Sequence, residues 1–219
     1  MGEFWGVLAN NTDLFRTGFG NTVKLFAMAS VGSMVLGTVL AMMRVSPVPV
    51  LRWAGTAYVT VLRNTPLTAV LFFLVFAYPL LQILRLSFFE AAAVGLMVYT
   101  AAFVCEVVRS GINTVDVGQA EASRALGLTF IQTLGSIVLP QAIRSVVPPL
   151  TSVQIALLKN TTIAAGFSVA EAGAIRDYLS ERGENVLYGL IWVAIGFLIL
   201  VIPLTLLQRN LERRWRVAR

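Results

Sequence analysis

The stretch from Val186 to Leu207, VLYGLIWVAIGFLILVIPLTLL, contains no charged residue. About 20 consecutive apolar residues in a helix are enough to cross the hydrocarbon core of a bilayer. The stretch therefore predicts a transmembrane helix, and a basic tail follows it directly. Five arginines lie in the last eleven residues: Arg209, Arg213, Arg214, Arg216 and Arg219.

The composition of the whole chain agrees with a membrane location. Of its 219 residues, 57% are hydrophobic and 13% are charged, whereas soluble domains carry about 25% charged residues. The net charge of +6 would favour nucleic-acid binding in a soluble protein, but basic residues just after an apolar run are typical of a cytoplasmic membrane flank. We predict an all-α integral membrane protein with a single transmembrane domain over residues 1–219, and no nucleic-acid partner.

Apolar runs predict about five transmembrane helices in the chain. The second run is interrupted by Arg63-Asn64-Thr65-Pro66, and the fourth is the most polar because it contains two prolines and Lys159. The predicted spans cover about residues 23–43, 57–84, 88–108, 146–167 and 186–207.

The orientation follows from the basic residues near the ends of the spans. An odd number of spans with the C-terminal arginines in the cytoplasm places the N-terminus outside, with nine arginines inside and four outside. Residues 113–141, between the third and fourth spans, are then cytoplasmic. This segment is too polar to span and its pattern favours short helices on the membrane surface.

The cytoplasmic segment contains a spaced motif: Glu121-Ala122-Ser123, then Gly127, Ile137 and Leu139-Pro140. Small side chains allow a short helix to seat closely in the groove of a partner, where the Glu121 carboxylate can accept a charge-assisted hydrogen bond. Gly127 permits a sharp turn, and Pro140 fits the first turn of the next helix. The alternative interpretation is an amphipathic helix on the membrane surface, with Glu121 solvated and Gly127 as its cap. The residues predicted to contact a partner and couple to it are Ala120, Glu121, Ala122, Ser123 and Gly127.

This spacing resembles the EAA loop of ABC importer permeases, with Ser123 in place of the second alanine. Residues 63–67, 106–112 and 156–161 are similar to permeases for polar amino acids of the histidine/glutamine/glutamate class. The resemblance implies a type I importer permease fold with a cytoplasmic coupling helix, in the bacterial cytoplasmic (inner) membrane. It also implies three protein partners: an ATP-binding cassette ATPase dimer, a second permease subunit (homologous or identical) and an extracytoplasmic solute-binding protein.

Polar residues inside predicted spans mark a candidate translocation pathway, because such residues are costly in lipid. Gln154 and Thr161 are seven residues apart and share a helix face. In the alternative interpretation, the charged side chains reach the membrane interface and the threonines bond to their own backbone. The predicted pathway residues are Arg63, Asn64, Thr65, Gln154, Lys159, Asn160, Thr161 and Thr162.

The substrate prediction depends on Lys159 and Asn160. A cation beside a neutral amide suits an anionic side chain, whereas the permeases that the chain resembles often carry an aspartate in place of Asn160. We predict a permease for a polar amino acid, with glutamate first and arginine, histidine or glutamine as alternatives. An ion-coupled secondary transporter would not explain the loop motif, and a purely scaffolding subunit would not need polar residues in its spans.

Several kinds of chemistry are not encoded in this chain. It has no histidine and one cysteine, Cys105, so it has no Cys/His metal cluster and no Ser-His-Asp triad. It also has no glycine-rich phosphate loop ending in Lys-Ser or Lys-Thr. We predict that it is not an enzyme and has no catalytic residue, metal or bound cofactor, since ATP and Mg²⁺ would bind in the partner ATPase.

Overall fold

The computed structural model describes residues 2–215, and the regular structure in these residues is entirely helical. Arg216 and Arg219 of the basic tail lie outside the described residues. The α-helices are α1 (Gly2–Asn10), α2 (Thr12–Val45), α3 (Pro49–Asn64), α4 (Leu67–Phe72), α5 (Phe88–Ile112), α6 (Val117–Ala125), α7 (Phe130–Thr133), α8 (Leu139–Asn160), α9 (Ile175–Glu181) and α10 (Val186–Trp215). Shorter π and 3-10 segments cover Phe73–Ala77, Tyr78–Leu81, Leu134–Val138, Thr161–Phe167 and Ala172–Ala174.

Local sequence signals explain where several helices begin. Pro49 opens α3, at a position where a missing backbone N–H costs nothing. Pro140 lies in the first turn of α8 as predicted, and the π segment Leu134–Val138 leads directly into that turn. Ser87 and Glu90 form a capping box at the start of α5, because the Ser87 hydroxyl accepts from the Glu90 N–H at 3.2 Å and the Glu90 carboxylate accepts from the Ser87 N–H at 2.8 Å.

Three helices are long and apolar enough to cross a bilayer, namely α2, α5 and α10, with 34, 25 and 30 residues. A bent pair provides a fourth candidate, since α3 and the segment Leu67–Leu81 meet at 105°. The bend falls at Thr65 and Pro66, within the interruption seen in the sequence. These candidates overlap the first, second, third and fifth predicted spans.

The fourth predicted span, residues 146–167, is built differently. α8 ends at Asn160 and continues as the 3-10 turn Thr161–Phe167, and its length and composition do not place it among the apolar spans of the described residues. Adjacent β-branched side chains crowd the preceding helical turn, which favours the change of helix type. The described residues thus give three to four apolar spans, and the count of about five stays a prediction.

The packing of α2 against α5 forms the centre of the molecule. Every fourth residue of α2 from Ala29 to Ala41 is small and buried, and Gly37 lies so close to α5 that an added Cβ would be 2.6 Å from Val104. Small residues let two membrane helices approach closely, which replaces the hydrophobic driving force that is absent in lipid. The small buried residues of this contact are Ala29, Ser33, Gly37 and Ala41 on α2, and Ala101, Ala102 and Cys105 on α5.

Aromatic side chains join α1 to the start of α10. Phe4 stacks on Trp192 with ring centroids 4.7 Å apart, and the Trp192 indole donates to the Phe4 carbonyl at 2.9 Å. Trp5 and Tyr188 complete this cluster. Amphipathic aromatic rings of this kind favour the membrane–water interface.

The loop after the 3-10 turn is attached to α2 through the buried carboxyl of Glu171. The Thr22 hydroxyl donates to Glu171 at 3.0 Å and accepts from the Ala172 N–H at 3.0 Å. The Gly173 N–H also donates to Glu171, at 2.6 Å. Burial raises the pKa of Glu171 to about 7, against the opposing effect of these hydrogen bonds.

Candidate coupling surface and translocation site

The predicted coupling motif lies on the short helix α6 and the turn after it. The Asp116 carboxylate caps α6 by accepting from the Gly118 N–H at 2.7 Å. Glu121 and Ala122 are exposed, whereas Ser123 is buried and its hydroxyl donates to the Gln119 carbonyl. The side chain of Ala120, the remaining α6 residue of the predicted coupling set, lies outside the described part of the structure.

Gly127 ends α6 in the way that the sequence predicted. Its φ is +81°, a left-handed conformation in which an L side chain is strained. The Gly127 N–H donates to the Arg124 carbonyl at 2.9 Å and the Leu128 N–H donates to the Ser123 carbonyl at 3.1 Å. This pair of bonds is the Schellman motif, so the glycine satisfies the last carbonyls of the helix.

Large apolar side chains next to the motif are exposed. Val117, Leu126 and Ile131 are 68%, 82% and 79% exposed, respectively. Apolar residues grouped beside an exposed carboxylate on a short, polar segment are typical of a docking surface for another protein. We call the exposed residues of 117–131 the coupling surface.

A second group of polar residues surrounds Glu106 near the end of α5. Its carboxylate forms ion pairs with three arginines, which come from α2 (Arg44), α3 (Arg63) and its own helix (Arg109). The Arg109 and Arg63 nitrogens lie 3.0 Å and 3.4 Å from the carboxylate. We call these four residues the arginine cluster.

The three arginines are held unequally. The Arg44 side chain is 13% exposed and also lies 3.9 Å from the Cys105 sulfur, so it is bound into the α2–α5 contact. The Arg63 side chain is 48% exposed and rests over the Phe103 ring at 5.8 Å. Arg109 donates to Glu106 through one terminal nitrogen, while its Nε is buried and has no acceptor among the described residues.

Two cavities meet at this cluster, and both are lined by Arg63 and Glu106. The larger, about 470 Å³, lies between the end of α5 and the start of α8, within the range of about 300–1,000 Å³ that is usual for small-molecule sites. The smaller, about 260 Å³, lies beside α3. The larger cavity is also lined by Arg109, Ser110, Thr114 and Ser145.

The other two predicted pathway residues at the end of α3 form hydrogen bonds to the backbone of their own helix. The Asn64 amide donates to the Thr60 carbonyl at 2.7 Å and the Thr65 hydroxyl donates to the Val61 carbonyl at 2.8 Å. Asn64 also lines the smaller cavity. Arg63 is therefore the member of this trio whose side chain reaches another helix.

The predicted pathway residues of α8 and of the 3-10 turn after it also differ in whether they bond to their own backbone. Thr161 and Thr162 donate to the carbonyls of Leu158 and Lys159 at 2.7 Å and 2.8 Å, as the alternative interpretation of these threonines expected. Since α8 ends before Thr161, the face it was predicted to share with Gln154 is not continuous α-helix.

Gln154 differs from these threonines because its amide is buried without a partner. Neither its Nε2 nor its Oε1 has a hydrogen bond among the described residues. Lys159 is exposed and Asn160 is half-buried at the end of α8. Within the described residues, no hydrogen bond or ion pair joins Gln154, Lys159 or Asn160 to Arg63.

Three residues of the arginine cluster were absent from the predicted pathway: Arg44, Glu106 and Arg109. Glu106 was visible as a carboxylate near the end of an apolar run, where an ionisable residue indicates a functional site. Arg109 follows Glu106 by three residues, a spacing that brings side chains of one helix together. Arg44 and Arg63 were not predictable by spacing, because they are 62 and 43 residues away in the chain.

The helical fold of the described residues and the broken second span define an integral membrane protein with the type I ABC importer permease fold. The chain matches the family of binding-protein-dependent transport system inner membrane components over residues 33–217 and belongs to that family. The match includes the coupling surface and the arginine cluster.

Two similar proteins are glutamate transport system permeases from Corynebacterium. That of Corynebacterium efficiens is 45% identical over 86% of this chain and 88% of its own length. That of Corynebacterium glutamicum is 43% identical over 91% of this chain and 92% of its own length. A probable glutamine ABC transporter permease from Bacillus subtilis is 38% identical over 95% and 96% of the two chains.

Solved structures show the same fold. A crystal structure of an amino acid ABC transporter with histidines has a TM-score of 0.88 and 27% identity, and the match covers 94% of this chain and 96% of that one. An inward-facing structure of a methionine ABC transporter has a TM-score of 0.74 at 22% identity, covering 94% of this chain and 98% of the other, and agrees in fold.

Proposed function

We propose that this chain is the permease subunit of an ATP-driven importer for glutamate. The observation that carries the proposal is its identity of 45% and 43% to two glutamate transport permeases across most of both chains. Membership of the binding-protein-dependent family supports import from outside the cell. Glutamine is the second candidate, because a probable glutamine permease is 38% identical to this chain.

The proposed complex contains two permease subunits, an ATPase dimer and an extracytoplasmic solute-binding protein. We place the C-terminus in the cytoplasm and the N-terminus outside, which is supported by the excess of arginines at the inner ends of the spans. The coupling surface then faces the ATPases, and ATP with Mg²⁺ binds to them rather than to this chain. The loop that holds Glu171 faces the binding protein.

The coupling surface transmits the motion of the ATPases. Exposed Leu126 and Ile131 provide apolar area for a groove, and the exposed Glu121 carboxylate accepts from a basic residue of the partner. Gly127 allows a tight turn at the end of α6. A displacement of α6 is then transmitted to α8 through the π segment Leu134–Val138. ATP binding brings the two ATPases together, and the spans rock open to the outside.

The translocation pathway runs past the arginine cluster and the polar end of α8. Gln154 supports this placement because its buried amide lacks a partner in the described residues, and such a group gains free energy by bonding to a polar substrate. Lys159 and Asn160 offer a cation and a neutral amide to an anionic side chain. Four further residues shape the pathway because their side chains donate to backbone carbonyls of the preceding turn: Asn64, Thr65, Thr161 and Thr162.

The test is uptake of radiolabelled L-glutamate into proteoliposomes that contain this subunit with its ATPase and binding protein. We expect uptake that requires ATP and is competed by glutamate more strongly than by arginine. Glu121→Ala should abolish ATP-driven uptake while the subunit still inserts into the membrane. The control is Glu3→Ala, which removes an exposed carboxylate near the N-terminus and should leave uptake unchanged.

Each outcome separates the candidates. Preferential competition by glutamine would replace glutamate with glutamine as the substrate, and preferential competition by arginine would refute both assignments. Uptake that persists without ATP but needs an ion gradient would indicate a secondary transporter. Full transport by the Glu121→Ala complex would refute the coupling role of α6.

A further inference from the structure

The arginine cluster carries more positive charge than its own carboxylate can neutralise. Three guanidinium groups share Glu106, which leaves two positive charges uncompensated. The described residues that line the two adjacent cavities include no second carboxylate. Excess positive charge beside a cavity within a membrane protein attracts an anionic ligand.

Two arginines of the cluster have donors that Glu106 does not occupy. The buried Nε of Arg109 has no acceptor among the described residues, and an unpaired buried donor is costly until an acceptor arrives. The Arg63 nitrogen lies 3.4 Å from the Glu106 carboxylate, nearly half of the Arg63 side chain is exposed, and its other contact is the Phe103 ring. Both side chains line the cavity of about 470 Å³.

Glu106 does not need Arg63 to remain paired. Arg44 binds one carboxylate oxygen from within the α2–α5 contact, and Arg109 binds the other. Arg63 also lines the smaller cavity, so it forms part of the wall between the two. A shift of this side chain would change how the cavities communicate without breaking the remaining ion pairs.

We infer that Arg63 and Arg109 bind the side-chain carboxylate of an acidic amino acid in the larger cavity, and that Arg63 leaves Glu106 to do so. Guanidinium groups present paired donors that match the planar geometry of a carboxylate. Arg44 keeps Glu106 neutralised during the exchange. The inference rests on the proposed function for the identity of the substrate, and it adds Arg63 and Arg109 to Lys159 and Asn160 as groups that meet the anionic side chain along the pathway.

The experiment places a reporter thiol in the larger cavity. Cys105, the chain's one cysteine, is buried and is replaced by serine, and the cavity residue Ser110, which is exposed, is changed to cysteine. The rate of modification of the Ser110→Cys thiol is then measured with an anionic sulfonatoethyl and a cationic trimethylammonioethyl methanethiosulfonate. Protection by L-glutamate and by L-glutamine is titrated in the assembled complex.

We expect the anionic reagent to react faster than the cationic one, and Arg63→Gln to lower that ratio by about fivefold to tenfold, because one unit charge near the thiol is removed. L-glutamate should protect the thiol at lower concentration than L-glutamine. In Arg63→Gln, the half-protecting concentration of glutamate should rise by about tenfold or more, with a smaller rise in Arg63→Lys. The matched control is Arg85→Gln, an exposed arginine outside both cavities, which should change neither readout.

Three results would overturn the inference. Equal protection by glutamine and glutamate would show that the cavity does not recognise the side-chain carboxylate. An unchanged titration in Arg63→Gln would show that this arginine only supports the fold. Glutamate uptake by the complex without any protection would refute the site and leave the proposed function intact, whereas protection without uptake would refute the proposed function and leave the site.

Discussion

Replacement of Gly37 by alanine tests whether close contact between α2 and α5 holds the molecule together. A Cβ at this position would lie 2.6 Å from the Cβ and Cγ1 atoms of Val104 and 2.8 Å from the carbonyl oxygen of Ala101. The oxygen belongs to the backbone and cannot rotate away, so the two helices must separate. Overpacking of this kind costs about 1–3 kcal/mol.

Gly20 provides a matched control on the same helix. It also lies inside α2, but nothing is within 4 Å of the Cβ that alanine would add. Both changes gain the same helix propensity, about 0.5–1 kcal/mol, so the difference between the two variants isolates the steric cost.

The measurement is the apparent Tm of each purified variant, followed by size-exclusion chromatography after heating. A cost of about 1–3 kcal/mol corresponds to about 2–12 °C for a chain of this size, and Gly37→Ala should therefore melt lower than Gly20→Ala by that amount. The same separation should weaken the pair between Arg44 on α2 and Glu106 on α5. Equal melting temperatures for the two variants would refute the close-packing argument.

Three further predictions concern the loop, the coupling surface and α8. Burial raises the pKa of Glu171 from 4.5 to about 7. The stability that the neutral Glu171 carboxyl contributes to the folded protein should therefore be complete below pH 4.5 and lost as pH rises through about 7. An apparent Tm measured across this window should fall in the wild type and stay flat in Glu171→Gln, and an equal slope would contradict the assignment. Gly127→Ala should weaken ATPase binding about tenfold, equivalent to about 1.4 kcal/mol, because of its positive φ, while Gly135→Ala, with open space and no positive φ, should not when both are measured by pull-down. Gln154→Leu should raise the Tm, since it removes an unpaired buried amide worth about 1–3 kcal/mol, yet lower glutamate uptake; a lower Tm would show that the amide has a structural partner.

Much of the fold could be predicted because lipid imposes simple rules on sequence. Apolar runs of sufficient length predicted α2, α5 and α10, and the interruption at Thr65 and Pro66 marked the bend. The turn at Gly127 followed from a backbone preference that depends on one residue. The end of α8 at Asn160 was missed, since hydropathy does not distinguish an α-helix from a 3-10 turn.

The candidate site was only partly predictable. Arg63 was recognised as a charge inside a span, and it reaches Glu106. Asn64 and Thr65 were singled out by the same rule, yet they bond to their own helix. Polarity inside a span identifies residues that need partners, but the sequence does not say whether the partner is a substrate, another helix or the residue's own backbone.

The sequence by itself determined the membrane location, the apolar runs and the turn at Gly127, because each depends on composition or on the residues of one short segment. The tertiary structure decided which charges meet. Arg44 and Arg63 lie on different helices, 62 and 43 residues from Glu106, and converge on it only through the packing of α2 and α3 against α5. Contacts between distant segments depend on how helices pack in three dimensions, and no local pattern records that arrangement.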